Sequence, residues 1–374
     1  MKAEPIGLYI HIPFCIKKCK YCDFTSFPHM SEWEMESYVG RLCEEIEGYR
    51  RDDKIPVNTI FFGGGTPSLL PPLLFKRVIN KIRDVFEISD DAEFTVEVNP
   101  GTVKGETLDA YRALGVNRIS IGLQSIHENE LKKIGRIHSY RDFTTALDMI
   151  LERGFSNISV DLMYARPEQS ARSFKKTLEC VAALPITHVS VYGLILEEGT
   201  PFYEERDTLN LPSEEQELEM YELASEILGR SGFEHYEISN YARDGAQCRH
   251  NLKYWREEEY IGCGIAAYSY FEGKRYGNSK SWQEYSEGFG KEYSYTEIID
   301  IDAEKYEYVM LGLRLSRGIS LSEYQRRFSE DFTKGREALL DKLESAGYIK
   351  RTSDTISLTE RGFYVSNSII TEIL

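Results

Sequence analysis

Through residues 1–237, short runs rich in apolar and β-branched residues alternate with longer stretches whose apolar positions recur every three to four residues. The short runs fall at 8–14, 57–62, 93–98, 118–123, 158–163 and 188–194 and predict strands. Residues 31–50 and 71–86, lying between them, predict helices. Another helix starts at Ser213. There Ser213-Glu-Glu-Gln216 is a capping box, in which cap and third residue exchange side-chain-to-amide hydrogen bonds. Met220, Leu223, Ala224, Ile227 and Leu228 then share one helical face, and Gly232 is a C-terminal stop. Six strand–helix units predict an α/β fold: an open, partial (β/α)6 barrel of the TIM type. In barrels of this type the site lies at the C-terminal ends of the strands.

From residue 238 the pattern turns irregular and aromatic, and from 302 it is helical again. Ser320-Leu-Ser-Glu323 is a second capping box, Gly347 ends a helix, and two β-like runs at 348–351 and 355–358 flank Ser353-Asp354. Two helices and a hairpin predict a winged-helix-like α+β module. The expected division is therefore a barrel (1–237), a connecting segment (238–301) and a C-terminal module (302–374).

Composition narrows the function classes. A net charge of −16 argues against a general nucleic-acid binder, which needs a basic surface. The seven cysteines form no secreted disulfide pattern, and no signal-peptide pattern precedes the first strand. No apolar run approaches the length of a membrane span. The expectation is a cytoplasmic protein, with peripheral membrane contact left open.

Cys15, Cys19 and Cys22 follow the first strand with C-x3-C-x2-C spacing. Three thiolates are one short of the usual four for an iron–sulfur cluster, and a [4Fe–4S] cluster so held has one open iron. A zinc site would want a fourth ligand at matching spacing. A chance group of reduced thiols is the third reading. Gly63-Gly-Gly-Thr-Pro67 follows the second strand; it is either an ordinary turn or a place where backbone approaches a ligand closely. Glu97, Gln124 and Asp161 lie at or near the ends of strands three to five, and Arg136 follows. Together they have the chemistry of a polar ligand site, although each alone is more often a surface or structural residue. In Cys248-Arg-His-Asn-Leu-Lys-Tyr-Trp255, His250 is either a haem-iron ligand among aromatic rings or a satisfied core histidine.

The cysteine motif, with an aromatic residue before its last Cys, resembles the radical S-adenosylmethionine (SAM) superfamily. There the open iron chelates SAM, and electron transfer from the cluster cleaves SAM to a 5′-deoxyadenosyl radical. Taken with Gly63–Pro67, Glu97, Gly122-Leu-Gln124, Asp161-Leu-Met-Tyr164, Glu198-Gly-Thr-Pro201 and His250-Asn-x-x-Tyr-Trp255, the chain resembles the coproporphyrinogen-oxidase-like radical SAM proteins, and among them the haem chaperones. The resemblance implies Cys15, Cys19 and Cys22 as cluster ligands. It implies Tyr9, Gly64, Glu97 and the Tyr268 position as contacts to the cluster-bound SAM. Tyr21, Gly65, Thr66, Gln124, Arg136, Asp161 and the Ile195 position match contacts to a second SAM in the oxidase, and His250 matches the haem motif. Phe24 stands where the oxidase has a further Cys, and the oxidase's long N-terminal arm has no counterpart before Cys15; both argue against oxidase activity. Tyr268 replaces a common His. Ala165-Arg166 replace a usual Gly-Leu and are expected to reshape the mouth after strand five. The expected function is binding of haem and its delivery to haem-dependent respiratory proteins at the membrane, by a chain that carries a SAM-binding [4Fe–4S] cluster. The alternative is a radical SAM enzyme acting on a porphyrin, by oxidative decarboxylation of coproporphyrinogen or by methyl transfer.

Overall fold

The computed structural model describes residues 4–288 and 293–374; residues 1–3 of the first expected unit and 289–292 of the second lie outside them. All six predicted strands are present: β1 (Ile6–Ile12), β2 (Pro56–Gly64), β3 (Glu87–Val98), β4 (Arg118–Gln124), β5 (Asn157–Tyr164) and β6 (His188–Gly193). Successive strands pair in parallel in that order. Crossover helices α1 (Glu32–Glu47), α2 (Pro72–Val85), α3 (Gly105–Ala113), α4 (Tyr140–Glu152), α5 (Ala171–Ala182) and α6 (Glu214–Arg230) connect or follow them. Ser31, Ser139, Ser170 and Ser213 cap α1, α4, α5 and α6, each with a capping box. Each such cap is worth about 1 kcal/mol because it satisfies an amide the helix itself cannot.

Side-chain alternation decides what the barrel encloses. Leu8, Ile10, Ile60, Phe62, Val96, Ile119, Ile121, Val160, Leu162 and Val189 are fully buried in the hydrophobic core. Burial of each contributes roughly 1.5–3 kcal/mol. The opposite parity carries Tyr9, Phe61, Glu97, Arg118, Ser120, Asp161, His188 and Ser190, which line an internal cavity. The fully buried aliphatic residues therefore face outward to the helices, and the charged side chains of the strands face the interior.

Residues 238–301, expected as a connecting segment, supply strands to the same sheet. After β7 (Glu234–Glu237) come β8 (Asn240–Ala242), β9 (Tyr260–Cys263), β10 (Tyr268–Phe271), β11 (Lys274–Gly277) and β12 (Tyr295–Ile298). The order across the sheet is β12-β11-β10-β9-β1-β2-β3-β4-β5-β6-β8-β7. β9 runs parallel to β1, with Gly7 opposite Tyr260. The sheet stays open, with β12 and β7 as its edges among the described residues.

Helix α7 (Arg249–Trp255) crosses the N-terminal ends of the strands. Glu93 of β3 accepts the Arg249 and His250 amides, both at 3.0 Å. A carboxylate here complements the positive end of the helix. Lys253 Nζ donates to Pro5 O and to Glu258, both at 2.9 Å.

Beyond lie α8 (Ile301–Gly312), α9 (Leu321–Phe328), α10 (Glu337–Ser345), α11 (Glu360–Tyr364) and α12 (Ser366–Ile373). With them goes a small antiparallel sheet of β13 (Ile319–Ser320), β14 (Ile349–Arg351) and β15 (Thr355–Leu358). This is the winged-helix-like arrangement of helices and hairpin. It joins the barrel at β7, where Ile238 N donates to Arg314 O and Ser316 N to Tyr236 O. Among the described residues no helix is long and apolar enough to cross a membrane.

Candidate functional site

The strand ends and the loop after β1 meet around one cavity of about 540 Å³. Cys15, Cys19 and Cys22 lie on a loop whose path is pinned at several points. Phe14–Cys15 pairs with Phe27–Pro28, Lys20 N donates to Ile134 O at 3.1 Å, and Cys22 N to Cys19 O at 3.3 Å. Thr66 Oγ1 lies 3.6 Å from Cys15 Sγ, and the Arg136 guanidinium lies 3.8 Å from Cys19 Sγ. Burial pushes the Cys22 thiol up to about 11, against the opposing pull of the Phe24 amide.

Gly64 and Gly65 must be glycine for different reasons. Gly64 has φ +106°, and a Cβ there would stand 2.4 Å from the His11 ring. At Gly65 a Cβ would meet the Phe14 carbonyl at 2.7 Å, because Gly65 N donates to Ile12 O at 2.9 Å. The loop is thus pressed onto the end of β1 and presents backbone to the cavity. His11 is held by Thr25 O on Nε2, at 2.8 Å, so its Nδ1 accepts from Tyr9 OH at 3.0 Å.

Charges of both signs line the interior. Glu97 accepts from Gly64 N at 3.2 Å, and burial and then Asp161 push its carboxyl up to about 8. Asp161 is also raised by burial, against the hydrogen bonds of Ser190 and Ser120; Ser120 Oγ donates to it at 3.1 Å. Arg136 donates to Asn99 Oδ1 at 2.6 Å and to Gly122 O, while Asn99 Nδ2 holds Thr66 Oγ1 at 2.7 Å. Gln124 ends β4 in the left-handed region, φ +68°. Burial raises the Tyr21 phenol, with Arg136 opposing.

Every residue named from the sequence as a cluster, SAM or haem contact lines this cavity, Tyr268 excepted: Tyr9, Cys15, Cys19, Tyr21, Cys22, Gly64, Gly65, Thr66, Glu97, Gln124, Arg136, Asp161, Ile195 and His250. Tyr268 sits on β10 opposite Gly277, outside the lining, and is 42% exposed. Arg166 also lies outside the lining, buried in an ion pair with Glu130. It therefore does not reshape the mouth directly. Asn99, Arg118, Ser120, His188, Ser190 and Tyr192 line the cavity without having been singled out. Strand parity was the signal that could have found most of them.

The donor set fits an iron–sulfur cluster. Of the seven cysteines only Cys15, Cys19 and Cys22 line the cavity. Among the described residues no three His, Cys, Asp or Glu side chains converge on a single metal-ion point. Three thiols around one cavity, short of a one-ion site, suit a larger inorganic core. Carboxylates, a guanidinium and exposed backbone beside them suit a ligand such as SAM, which carries both an amino-acid zwitterion and a cationic sulfur.

His250 fits an iron ligand poorly as placed. It is 1% exposed, and both ring nitrogens are engaged: Nδ1 with Thr59 Oγ1 at 2.9 Å and Nε2 with Tyr254 OH at 2.8 Å. Burial, then Lys253 and Arg118, lower it to about 3, so the ring is neutral. Its partner Thr59 lies five residues before Gly64 along β2, roughly 16 Å at the usual strand rise. The imidazole belongs to the floor and the cysteines to the mouth.

Two family models match the sequence: the radical SAM superfamily over residues 9–181 and the HemN C-terminal domain over residues 303–365. Similar curated proteins include the heme chaperone HemW of Synechocystis sp., 39% identical over 334 residues, 85% of this chain and 80% of that protein. The heme chaperone HemW of Lactococcus lactis subsp. lactis is 33% identical over 377 residues, 100% and 98% of the two chains. That of Escherichia coli is 33% identical over 380 residues, 99% and 98%. Among solved structures, coproporphyrinogen III oxidase (HemN) from Escherichia coli superposes with a TM-score of 0.87 at 24% identity, over 99% of this chain and 90% of that one. That likeness is one of fold.

Proposed function

The chain belongs to the HemW family of haem chaperones within the radical SAM superfamily, and from that premise we propose that it binds haem and hands it to haem-dependent respiratory proteins. It works from the cytoplasm and meets the membrane peripherally. The observation that carries this reading is the convergence of three thiols and the SAM-type contacts on one cavity.

Cys15, Cys19 and Cys22 hold a [4Fe–4S] cluster on this reading. When bound, the cluster supplies an electron source and an open iron site for SAM. Tyr9, Gly64 and Glu97 orient SAM at the cluster. Tyr21, Gly65, Thr66, Gln124, Arg136 and Asp161 bound the remaining space, where a second SAM would lie. Glu97 holds a proton at neutral pH in the free chain and gives it up when a cation arrives beside it. Arg136, tied to Asn99 and Gly122, offers its charge to thiolate and carboxylate without having to move. Residues 302–374 act as a packing or partner surface.

Anaerobic reconstitution followed by haem titration and product analysis tests this. About four iron and four sulfide per chain are expected. Cys15→Ala, Cys19→Ala and Cys22→Ala should each lose the cluster absorbance, whereas Cys43→Ala and Cys180→Ala keep it. The parent should bind haem saturably and, given SAM, a reductant and coproporphyrinogen, form no decarboxylated product. Robust decarboxylation would move the protein to the enzyme reading.

A further inference from the structure

The cavity has two ends of unlike character. At the floor, His250 stacks on Phe61 (centroids 5.3 Å apart, planes at 27°) and lies near Tyr9, and α7 closes the barrel beneath. These rings are packed on one another, and both imidazole nitrogens are spoken for. At the rim, two large apolar side chains stand open to solvent although they line the same cavity: Phe24 is 62% exposed and Ile195 69%. Exposed apolar groups gathered at a cavity mouth mark a binding surface more often than chance does. Lys17 and Lys18 line the same rim and are exposed; neither is in an ion pair among the described residues. Asp23 is the one acidic neighbour on that loop segment, so this side of the rim is net positive.

What would cover such a rim is flat, apolar and anionic at its edge. Between rim and floor the walls carry Glu97, Asp161, Arg118 and Arg136, which an apolar ring would desolvate without pairing. Resting on the proposed carrier function, we propose that the haem macrocycle is received at the rim. There it lies on Phe24 and Ile195 with its propionates toward Lys17 and Lys18. His250 is a positioning residue that fixes the floor, not the ligand of the haem iron. Phe24 takes on a further meaning in this light. The place where the oxidase resemblance puts a fourth cysteine is here an apolar contact for cargo.

The test is haem titration of cluster-loaded protein, so that no free triad thiol competes for iron. Phe24→Asp and Ile195→Asp change exposed positions and should leave cluster content unaltered. Each should weaken haem binding by about tenfold or more, because an anion replaces buried apolar contact and repels the propionates. His250→Gln should bind within about twofold of the parent with an unmoved Soret band, at some loss of thermal stability. Should His250→Gln fail to fold, Thr59→Val gives the same reading: it frees the imidazole's Nδ1 and would shift the Soret band of any haem that the ring ligates. Rim variants that bind like the parent, or a Soret shift in a folded floor variant, overturn the proposal while leaving the carrier function standing. A parent that takes up no haem overturns both.

Discussion

Arg166 shows what one departure from a family pattern requires of its surroundings. Its guanidinium and the Glu130 carboxylate are almost wholly buried, 2.6 Å apart, and Ser125 Oγ also donates to Glu130. Among the described residues Arg166 Nε and Nη1 have no hydrogen-bond partner. Burial alone would raise Glu130, but Arg166 and Ser125 overcome it and hold the carboxyl below its usual range. Breaking such a pair from one side leaves a buried charge uncompensated. Arg166→Leu should therefore destabilise the protein by about 3–5 kcal/mol, and the double change with Glu130→Leu should recover most of the loss. Chemical denaturation of both variants checks this; a single variant as stable as the parent would refute it. Because Glu130 is lowered in the fold, the pair's contribution is present above the ordinary glutamate value and lost as pH falls through the lowered one. The sequence marks Arg166 as unusual but points it at the mouth. Its partner lies 36 positions away, and nothing in one sequence pairs the two. The cysteines were legible for the opposite reason: their ligand set is local, and spacing alone carries it.

Among elements, the six parallel strands were legible because each is a short apolar run set off by turn residues. Strands β9 to β12 were not. Each has only four residues and mixes Tyr with Gly or polar groups, too few positions for a period to show. The position of α7 was illegible too, since it is set by groups from β2, β3 and the segment before β1. Glu93→Ala removes the acceptor of two amides at the start of that helix, of which that of His250 is buried. It should cost about 1–3 kcal/mol, the cost of stranding the buried His250 amide. Because Glu93 lies at the floor, iron and sulfide content after reconstitution should be unchanged. Loss of the cluster with no loss of stability would show that the floor and the mouth are not separable. A comparable tie binds α1 to the far strands. Buried Glu45 accepts from Gly264 N at 2.8 Å, Asn278 Nδ2 at 2.7 Å and Tyr285 OH at 2.6 Å.

At the scale of the molecule, several carboxylates share one bias. Burial pushes Glu97 up to about 8 and Glu45, Glu237 and Glu257 up to about 7. A raised acid binds its proton more tightly folded than unfolded. The stability it contributes is full below the unfolded value of about 4.5 and is lost as pH rises through 7–8. The net charge of −16 adds repulsion in the same direction. The ligand-free protein should therefore melt lower at pH 9 than at pH 6. Glu237→Gln, at the joint between barrel and C-terminal module, should flatten part of that slope; a melting temperature that climbs steadily to pH 9 would contradict this account. The place of β1 in the sheet has a consequence in time. Its neighbours are β2 on one side and β9 on the other, with Gly7 opposite Tyr260. A ribosome adding roughly 5–20 residues per second needs about 12–50 s to pass from Cys15 to Cys263. Through that interval the three cavity thiols stand beside an unpaired strand edge, with no floor beneath them. A nascent chain in that state is open to oxidation and to mispairing, and a cluster inserted early would have to wait for its own pocket to be built around it.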